Sequence, residues 1–313
     1  MNRWPGEWKR RMMALVSGLV VCWSLNAQSV PSRPLSIPVY HPMVLNPAYA
    51  GSKDFTSIGF TSRIYNIPDN QIITFHQRLS GPNGTYSKLG VGGFLFQEQM
   101  EHSWNMGVAG TGAFHLSLDQ AKLHNIAAGA TLKAILNIPK KSSESSGDSV
   151  QTAFLPNMDL GLYYYGPTAF AGLSVTTLFG TRMKEGLNTE PDSYIPREYH
   201  FYGGYKFLLS RKNDIVLEPS LLLTLNDTTF SEAADHLIPY LKLYLQNFYI
   251  GTYIKTLDTF ALFFQYQFPR FYTGVFLEFP RVGFLNNDNI IFEISLGVNL
   301  GKGDRQFELN RHW

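Results

Sequence analysis

The chain has 313 residues, a net charge of +2 at pH 7, 16% charged residues and 14% aromatic residues. The charged fraction lies below the roughly 25% of soluble domains. The near-neutral balance, without a cluster of Lys and Arg interleaved with aromatics, argues against nucleic acid as a partner. The length allows one large all-β domain or two ordinary domains.

Residues 1–27 have the pattern of a signal peptide. Positive residues between Arg3 and Arg11 precede an apolar run from Met12 to Trp23, and Ala27 is the expected cleavage position. The single cysteine, Cys22, lies inside this run, so we expect no disulfide and no thiolate metal site in the mature chain. Beyond residue 27 no run of about 18 uncharged apolar residues occurs, which argues against spanning helices.

Residues 28–54 form a Pro-rich N-terminal segment. Because proline cannot donate to a strand ladder, we predict an extended, non-strand lead-in. It ends in the run Asn46, Pro47, Ala48, Tyr49, Ala50 and Gly51, in which an Asn-Pro turn precedes small residues that allow close backbone approach. The segment is either a linker or a piece packed against or inserted into the body that follows, as a plug or a periplasmic contact.

Segments with two-residue periodicity follow one another from Phe55 onwards. The longest, Trp104 to Leu118, carries large apolar residues or glycine at even positions and small or polar residues at odd positions. Fifteen alternating residues exceed the five or six of an ordinary strand and fit a membrane-crossing strand. The fourteen predicted strands are 55–65, 71–79, 88–97, 104–118, 124–136, 157–165, 169–178, 198–208, 214–225, 237–246, 248–256, 259–267, 271–279 and 289–300.

Charged side chains inside these segments all fall on the less apolar face. An Arg or Lys that faces lipid at the midplane costs roughly 2–4 kcal/mol, so we expect these residues to face the lumen of a closed barrel. A secreted β-sandwich or propeller is the alternative, but it would leave the charge-free faces in water or need a second sheet to cover them. The predicted lumen-facing charges are Arg63, Arg78, Lys133, Asp159, Lys206, Glu218, Lys242, Lys255, Glu278 and Glu293.

The connections alternate between two sets, and every long one falls in the same set. Outer-membrane barrels combine short periplasmic turns, longer outer loops and an even strand count. We therefore predict an all-β, transmembrane outer-membrane β-barrel of about 14 antiparallel strands over residues 55–300, with both termini in the periplasm. The long set is 66–70, 98–103, 137–156, 179–197, 226–236, 257–258 and 280–288.

Two groups of residues near the short turns suggest contacts outside the wall. The tail 301–313 is expected in the periplasm, and its apolar residues Phe307, Leu309 and Trp313 are candidates for docking to a partner. Aromatic residues at the short-turn ends predict an interfacial girdle. They are Tyr163 to Tyr165, Phe170, Phe248, Tyr249, Tyr266, Phe271 and Tyr272.

The lumen carries no recognisable catalytic arrangement. No G-x-S-x-G motif occurs, and His76, His115 and His200 fall singly on the polar faces of three strands. Lone histidines in a lumen are more often hydrogen-bonded filler than ligands. We expect no enzyme activity and no catalytic, cofactor-binding or metal site. Mixed charges and inward-pointing tyrosines favour a filled or plugged lumen over an open pore.

Several motifs together resemble the PorP/SprF family of outer-membrane proteins, which serve the type IX secretion system and gliding machinery of Bacteroidetes. The run from Pro42 to Gly51 is the most specific of them. The others follow in order along almost the whole mature chain and are His76, Gly161–Tyr165, Ala171–Val175, Arg197–Tyr205, Leu217–Ser220 and Gly251–Tyr253.

The resemblance implies a non-enzymatic protein embedded in outer-membrane lipid that works with a secretion apparatus. The implied partners are a periplasmic ring lipoprotein and its companion subunit, together with secreted surface proteins whose export or attachment the barrel assists. Residues Asn46–Gly51 and the tail are then candidates for partner contact. The alternative function is an outer-membrane channel or transporter for small anionic or hydrophobic solutes, and an outer-membrane lipid hydrolase is a more distant one.

Overall fold

The structure, a computed structural model, describes residues 36–65, 70–80, 86–99, 103–121, 123–139, 152–183, 193–227, 229–230, 233, 236–256, 259–280 and 290–301. The predicted signal peptide, the first part of the Pro-rich segment and the tail beyond residue 301 lie outside these residues. Most of the described chain is antiparallel β-strand, as the alternating pattern predicts.

The strands of the described residues are β1 (Thr56–Tyr65), β2 (Asn70–Ser80), β3 (Tyr86–Gln99), β4 (Ser103–Ser117), β5 (Asn125–Pro139), β6 (Ala153–Tyr165), β7 (Ala169–Thr176), β8 (Thr181–Met183), β9 (Ser193–Ile195), β10 (Glu198–Tyr205), β11 (Phe207–Ser210), β12 (Ile215–Asn226), β13 (Leu237–Leu245), β14 (Phe248–Thr256), β15 (Thr259–Gln267), β16 (Phe271–Pro280) and β17 (Ile291–Leu300). Strands β10 and β11 are two parts of one wall segment, because both pair with β12. The described wall therefore has fourteen segments, which confirms the predicted strand number.

The wall is a closed barrel. Each segment pairs with its neighbours in sequence, and β1 pairs with β17 from Thr56 opposite Leu300 to Arg63 opposite Glu293. Strand β10 completes the ring by pairing with both β7 and β12. Because closure removes sheet edges, the backbone groups of the wall are paired with one another, as a bilayer interior requires.

Side chains alternate between the outside and the lumen along each strand. In β4, Met106 and Val108 are 41% and 52% exposed, whereas Asn105 and Ala109 are 2% and 5% exposed. Strands β5 and β6 continue the pattern, with exposed Leu132 on the outside. The outer surface is thus a belt of large apolar residues that lipid can cover.

The two ends of the barrel differ in the length of their connections. At one end, called the short-turn end, strands are joined by connections such as 166–168, 246–247 and 268–270. At the other, the long-connection end, residues 140–152 and 281–290 join strands. Strand β1 begins and β17 ends at the short-turn end, as their register requires.

The hairpin formed by β8 and β9 was not predicted. It lies within the connection between β7 and β10, at the long-connection end, and is separate from the barrel sheet. Each of its strands has three residues. A two-residue period cannot be recognised over so short a stretch, so the sequence pattern gave no signal for it.

The described part of the Pro-rich segment is helical, and the prediction of an extended lead-in is wrong there. Helix α1 (Ile37–Tyr40), helix α2 (Pro42–Leu45) and a 3₁₀ helix (Pro47–Tyr49) follow one another before β1. A proline occupies one of the first two positions of each, where its missing N–H costs nothing and its fixed φ suits a helix. None of the helices in the described residues is long and apolar enough to span a membrane.

Candidate functional site: a plugged lumen and its cavity

Residues 36–51, here called the plug, lie inside the barrel. Asn46, Ala48 and Ala50 are fully buried, and Met43 is 1% exposed. Met43 belongs to an apolar cluster with lumen-facing Ile72 of β2 and other residues of the neighbouring strands. The chain therefore enters β1 only after it has filled part of the lumen.

Hydrogen bonds hold the plug to walls that are nearly opposite each other in the ring. The Tyr40 hydroxyl lies 2.9 Å from each of the carbonyl oxygens of Phe264 in β15 and Val275 in β16. On the other side, Asn46 Nδ2 donates to the carbonyl oxygens of Leu162 in β6, at 2.8 Å, and Leu173 in β7, at 3.3 Å. The plug therefore spans the lumen and is hydrogen-bonded to the wall on both sides.

His41 provides a third attachment, to β1 and β2. Its Nε2 lies 2.7 Å from Thr61 Oγ1, and its Nδ1 lies 2.9 Å from Thr74 Oγ1. A neutral imidazole has one donor and one acceptor nitrogen, and a threonine hydroxyl can serve either. All three side chains are buried, so the contact satisfies each polar group without introducing a charge.

The signature run Asn46–Gly51 is a set of plug-to-wall contacts. Asn46 Oδ1 accepts from the Ala48 backbone N–H at 2.9 Å and so caps the 3₁₀ helix. The carbonyl oxygen of Ala50 lies 2.8 Å from His115 Nε2, and that of Gly51 accepts from Arg78 Nη1 at 3.1 Å. This run is mostly buried within the barrel, and its role in partner contact stays a prediction.

Glycines in the wall make room for the plug. A Cβ on Gly161 of β6 would overlap Oδ1 of Asn46, and one on Gly129 of β5 would overlap the backbone of Ala48. A glycine in a strand interior often marks the close approach of another backbone. These glycines of two neighbouring strands therefore both make room for the plug.

The ten predicted lumen charges are all buried or partly buried on the inner face. The side chains of Arg63 and Glu293 form an ion pair at 3.1 Å, and Glu293 Oε2 also accepts from the Ser36 backbone N–H at 3.0 Å. Lys133 and Asp159 pair at 2.6 Å. Burial of a charge is costly unless it is paired, and these partners meet that requirement.

Other predicted lumen charges contact lysines, a tyrosine hydroxyl or a backbone carbonyl oxygen. Glu218 lies between Lys242, at 3.3 Å, and Lys206, at 4.0 Å. Glu278 accepts a hydrogen bond from the Tyr253 hydroxyl. Arg78 Nε donates to the Ser87 carbonyl oxygen at 2.6 Å.

The three lumen histidines do not form a common site. His115 Nδ1 lies 3.0 Å from the Tyr165 hydroxyl, and His200 lies between the hydroxyls of Thr176 and Thr224. His76 packs edge-on against the Tyr49 ring of the plug. Within the described ranges, no group of three or more His, Cys, Asp or Glu side chains is placed to hold a metal ion.

The predicted aromatic girdle is only partly an outer feature. Phe271 is 48% exposed on the outside, but Tyr163 and Tyr272 are 8% and 7% exposed and face the lumen. Tyr163 stacks on Tyr202 with ring centroids 5.7 Å apart. The prediction is therefore wrong for Tyr163 and Tyr272. It is also wrong for Phe170 and Tyr249, which line the lumen cavity, and for Tyr165, whose hydroxyl contacts His115 and Arg78. Together with Tyr163 and Tyr272 they face inwards because strand alternation turns every second residue to the lumen.

A cavity of about 250 Å³ remains between the plug and the short-turn end. Tyrosines and three lysines line it, with Glu218 between two of the lysines. The plug residues Tyr40, His41 and Tyr49 also line it.

The tail candidates Phe307, Leu309 and Trp313 lie outside the described residues, so their docking role stays a prediction.

The sequence model of one protein family matches residues 39–298, and that family is described as "Type IX secretion system membrane protein PorP/SprF". No curated relative matches the chain significantly. Among solved structures, the outer membrane protein Omp33 of Acinetobacter baumannii is 10% identical, over 80% of this chain and 99% of that chain, with a TM-score of 0.42. The KdgM porin is 9% identical, over 78% and 98%, with a TM-score of 0.36. The β domain of the Bordetella autotransporter BrkA is 11% identical, over 79% and 99%, with a TM-score of 0.35.

Proposed function

Because the chain belongs to the PorP/SprF family of type IX secretion system membrane proteins, we propose that its plugged barrel anchors periplasmic subunits of that system in the outer membrane. A closed barrel with an apolar outer belt is the form in which β-barrel proteins span the outer membrane. The proposed partners are a ring lipoprotein and its companion subunit. Assistance in the export or attachment of surface proteins would follow from that position.

The plug is the observation that supports anchoring over solute transport. An aqueous channel needs a continuous lumen, whereas residues 36–51 cross this lumen and hydrogen-bond to β6 and β7 on one side and to β15 and β16 on the other. These hydrogen bonds keep the plug in the path that a solute would need. They also tie opposite sides of the wall together, which suits an anchor. The wall is thereby a rigid support for the turns at its ends.

The short-turn end is the proposed docking face. In an outer-membrane barrel the short turns face the periplasm, where the proposed partners reside. Arg211 and Lys212, in the turn between β11 and β12, are exposed there, as is Arg270 between β15 and β16. The tail after Gly301 begins at the same end.

Charge reversal at each end of the barrel tests this assignment. We expect Arg211→Glu with Lys212→Glu, combined with deletion of residues 304–313, to reduce the recovery of ring subunits in a pull-down from outer membranes. The matched control is Lys140→Glu with Lys141→Glu, in the connection between β5 and β6, which joins strands at the opposite end. Equal recovery with both variants, with the folded barrel present in each, would contradict the docking face.

A second experiment addresses secretion itself. We expect a strain that lacks this protein to lose type IX substrates from its surface or medium, and the wild-type gene to restore them. An unchanged set of secreted proteins would remove the proposed role in secretion, whatever the pull-down shows.

A further inference from the structure

The plug has a direction within the barrel. At its first residue, the Ser36 backbone N–H donates to Glu293 Oε2 at 3.0 Å, and Glu293 lies near the start of β17, at the long-connection end. At its last residue, the carbonyl oxygen of Gly51 accepts from Arg78, which lies near the end of β2 at the short-turn end. The plug therefore runs from the long-connection side of the lumen to the short-turn side before the chain enters β1.

The attachments in the later part of the plug agree with this direction. Asn46 Nδ2 donates to the carbonyl oxygen of Leu162, and the carbonyl oxygen of Ala50 lies 2.8 Å from His115 Nε2. Leu162 lies in the part of β6 nearer the short-turn end, and His115 lies close to that end of β4. The chain before Ser36 is thus left at the opposite end of the path, on the long-connection side.

Ser36 is close to the rim of the barrel. Because a strand rises about 3.3 Å per residue, Glu293 lies roughly 7 Å along β17 from its start at Ile291 and roughly 23 Å from its end at Leu300. Arg63, the partner of Glu293 in the neighbouring strand, lies as close to the end of β1. The residues before Ser36 therefore have a short route out of the lumen at the long-connection end and a long one at the short-turn end.

Close packing blocks the long route along the nearest wall. A Cβ on Gly59 of β1 would overlap His41 of the plug, and one on Gly297 of β17 would overlap the ring of Tyr272. Gly59 and Gly297 are paired across the two strands, on the short-turn side of Glu293. The side chains of His41 and Tyr272 thus lie directly against the backbone of this wall, and no second chain fits between them.

The cavity of the lumen offers no other way to the short-turn end. Its lining includes Pro38 and later residues of the plug, whereas Ser36 and Ile37 are not among the described residues that line it. Both residues are buried, and Ser36 has no exposed surface. The plug itself therefore separates Ser36 from the space at the short-turn end.

We propose that the chain before Ser36 leaves the barrel through the long-connection end, so that the residues between the expected cleavage position and the plug are displayed at the cell surface. The long connections of an outer-membrane barrel face outwards. Residues 28–35 can extend by up to about 28 Å, which is well beyond the rim. In this respect the proposal departs from the sequence-based expectation that both termini lie in the periplasm. It concerns the face opposite the proposed docking face and does not depend on the anchoring role.

Labelling of single cysteines in intact cells tests this route. The chain has one cysteine, Cys22, and Cys22→Ala in every variant leaves the introduced thiol as the only one. Ser32→Cys, in the segment before the plug, should react in intact cells with a maleimide that does not cross the outer membrane. Permeabilising the outer membrane should add little to this signal.

Two matched variants mark the two sides of the membrane. Ser145→Cys, in the connection between β5 and β6 at the long-connection end, should react in intact cells as Ser32→Cys does. Thr168→Cys, at an exposed position between β6 and β7 at the short-turn end, should react only after permeabilisation. Folding of each variant is checked by the mobility shift of the unheated barrel on gels.

Ser29→Cys, nearer the expected cleavage position, is measured beside Ser32→Cys. Reaction of either thiol in intact cells, with Thr168→Cys protected, supports the proposal. If both react only after permeabilisation, or react in neither condition while Ser145→Cys is labelled in intact cells, the proposal is wrong and the docking face is unaffected. If Ser145→Cys and Thr168→Cys exchange their labelling patterns, the barrel has the reverse orientation, and the docking face fails together with the proposal.

Discussion

The side chain of Asn46 occupies the space that a Cβ on Gly161 would need. From this position Asn46 Nδ2 donates to the carbonyl oxygens of Leu162 and Leu173, and its Oδ1 caps the 3₁₀ helix of the plug. The glycine in β6 and the asparagine 115 residues before it are therefore parts of one contact. It joins the plug to two neighbouring strands of the wall.

Gly161→Ala should loosen the plug. The added methyl group overlaps Asn46 Oδ1, and overpacking in a filled interior costs about 1–3 kcal/mol. The matched control is Gly110→Ala in β4, where a Cβ meets nothing within 4 Å and the residue is exposed on the outside. Denaturant unfolding in lipid vesicles measures the unfolding free energy of both variants. A G110A variant as unstable as G161A would contradict the assigned contact.

Asn46→Asp separates the two functions of this side chain. The carboxylate keeps an acceptor for the Ala48 N–H, but it loses both donors and places negative charge beside two carbonyl oxygens. We expect a loss of about 2 kcal/mol or more in unfolding free energy, since a buried group without its partners is costly. Asn213→Asp, the same change at an exposed turn position, should alter stability by less than about 0.5 kcal/mol.

The buried pair Arg63 and Glu293 should behave as a unit. Arg63→Met leaves Glu293, which is fully buried, without its cation, at a cost of about 3–5 kcal/mol. Adding Glu293→Gln removes the stranded charge and keeps an acceptor for the Ser36 N–H, so the double variant should be more stable than R63M alone. Unfolding free energies of the four proteins in this cycle measure the coupling, and additive costs would mean that the pair does not interact.

The turn between β4 and β5 provides a pH-dependent signal outside the membrane-spanning strands. The His124 backbone N–H donates to Asp119, as does that of Leu123, and these bonds hold the Asp119 pKa below its ordinary value of 3.8. A lowered pKa means that the bonds stabilise the turn above the ordinary pKa and are lost as the pH falls through the folded-state value. The NMR shift of the His124 amide should therefore titrate with a midpoint below 3.8, and a midpoint above it would contradict the bonding.

The wall could be predicted from the sequence because lipid imposes a simple rule on it. Every lipid-facing position must be apolar, so alternation, charge placement and connection lengths all point to the same fourteen segments. The family match over residues 39–298 likewise confirms the resemblance carried by the signature run. The β8–β9 hairpin is subject to no such rule, and periodicity did not reveal it.

The plug could be predicted only in part. Prolines excluded residues 28–54 from the strands. In the plug, however, prolines also lie at the start of each short helix, and these helices pack against the wall. Its path depends on long-range pairs such as Ser174 Oγ with the Leu45 carbonyl oxygen, which no local pattern encodes. The sequence did contain one signal for the plug, the glycines of the wall such as Gly161 and Gly172. The structure explains them, because a Cβ at either position would approach the Asn46 side chain.

Single-channel conductance in a planar lipid bilayer tests the plugged barrel most directly. The wild-type chain should insert without steady openings, because residues 36–51 cross the lumen and obstruct it. A variant in which residues 36–51 are replaced by a Gly/Ser linker of equal length should show steady steps once it inserts. Steady openings of the wild-type protein, equal in size to those of the linker variant, would contradict the account.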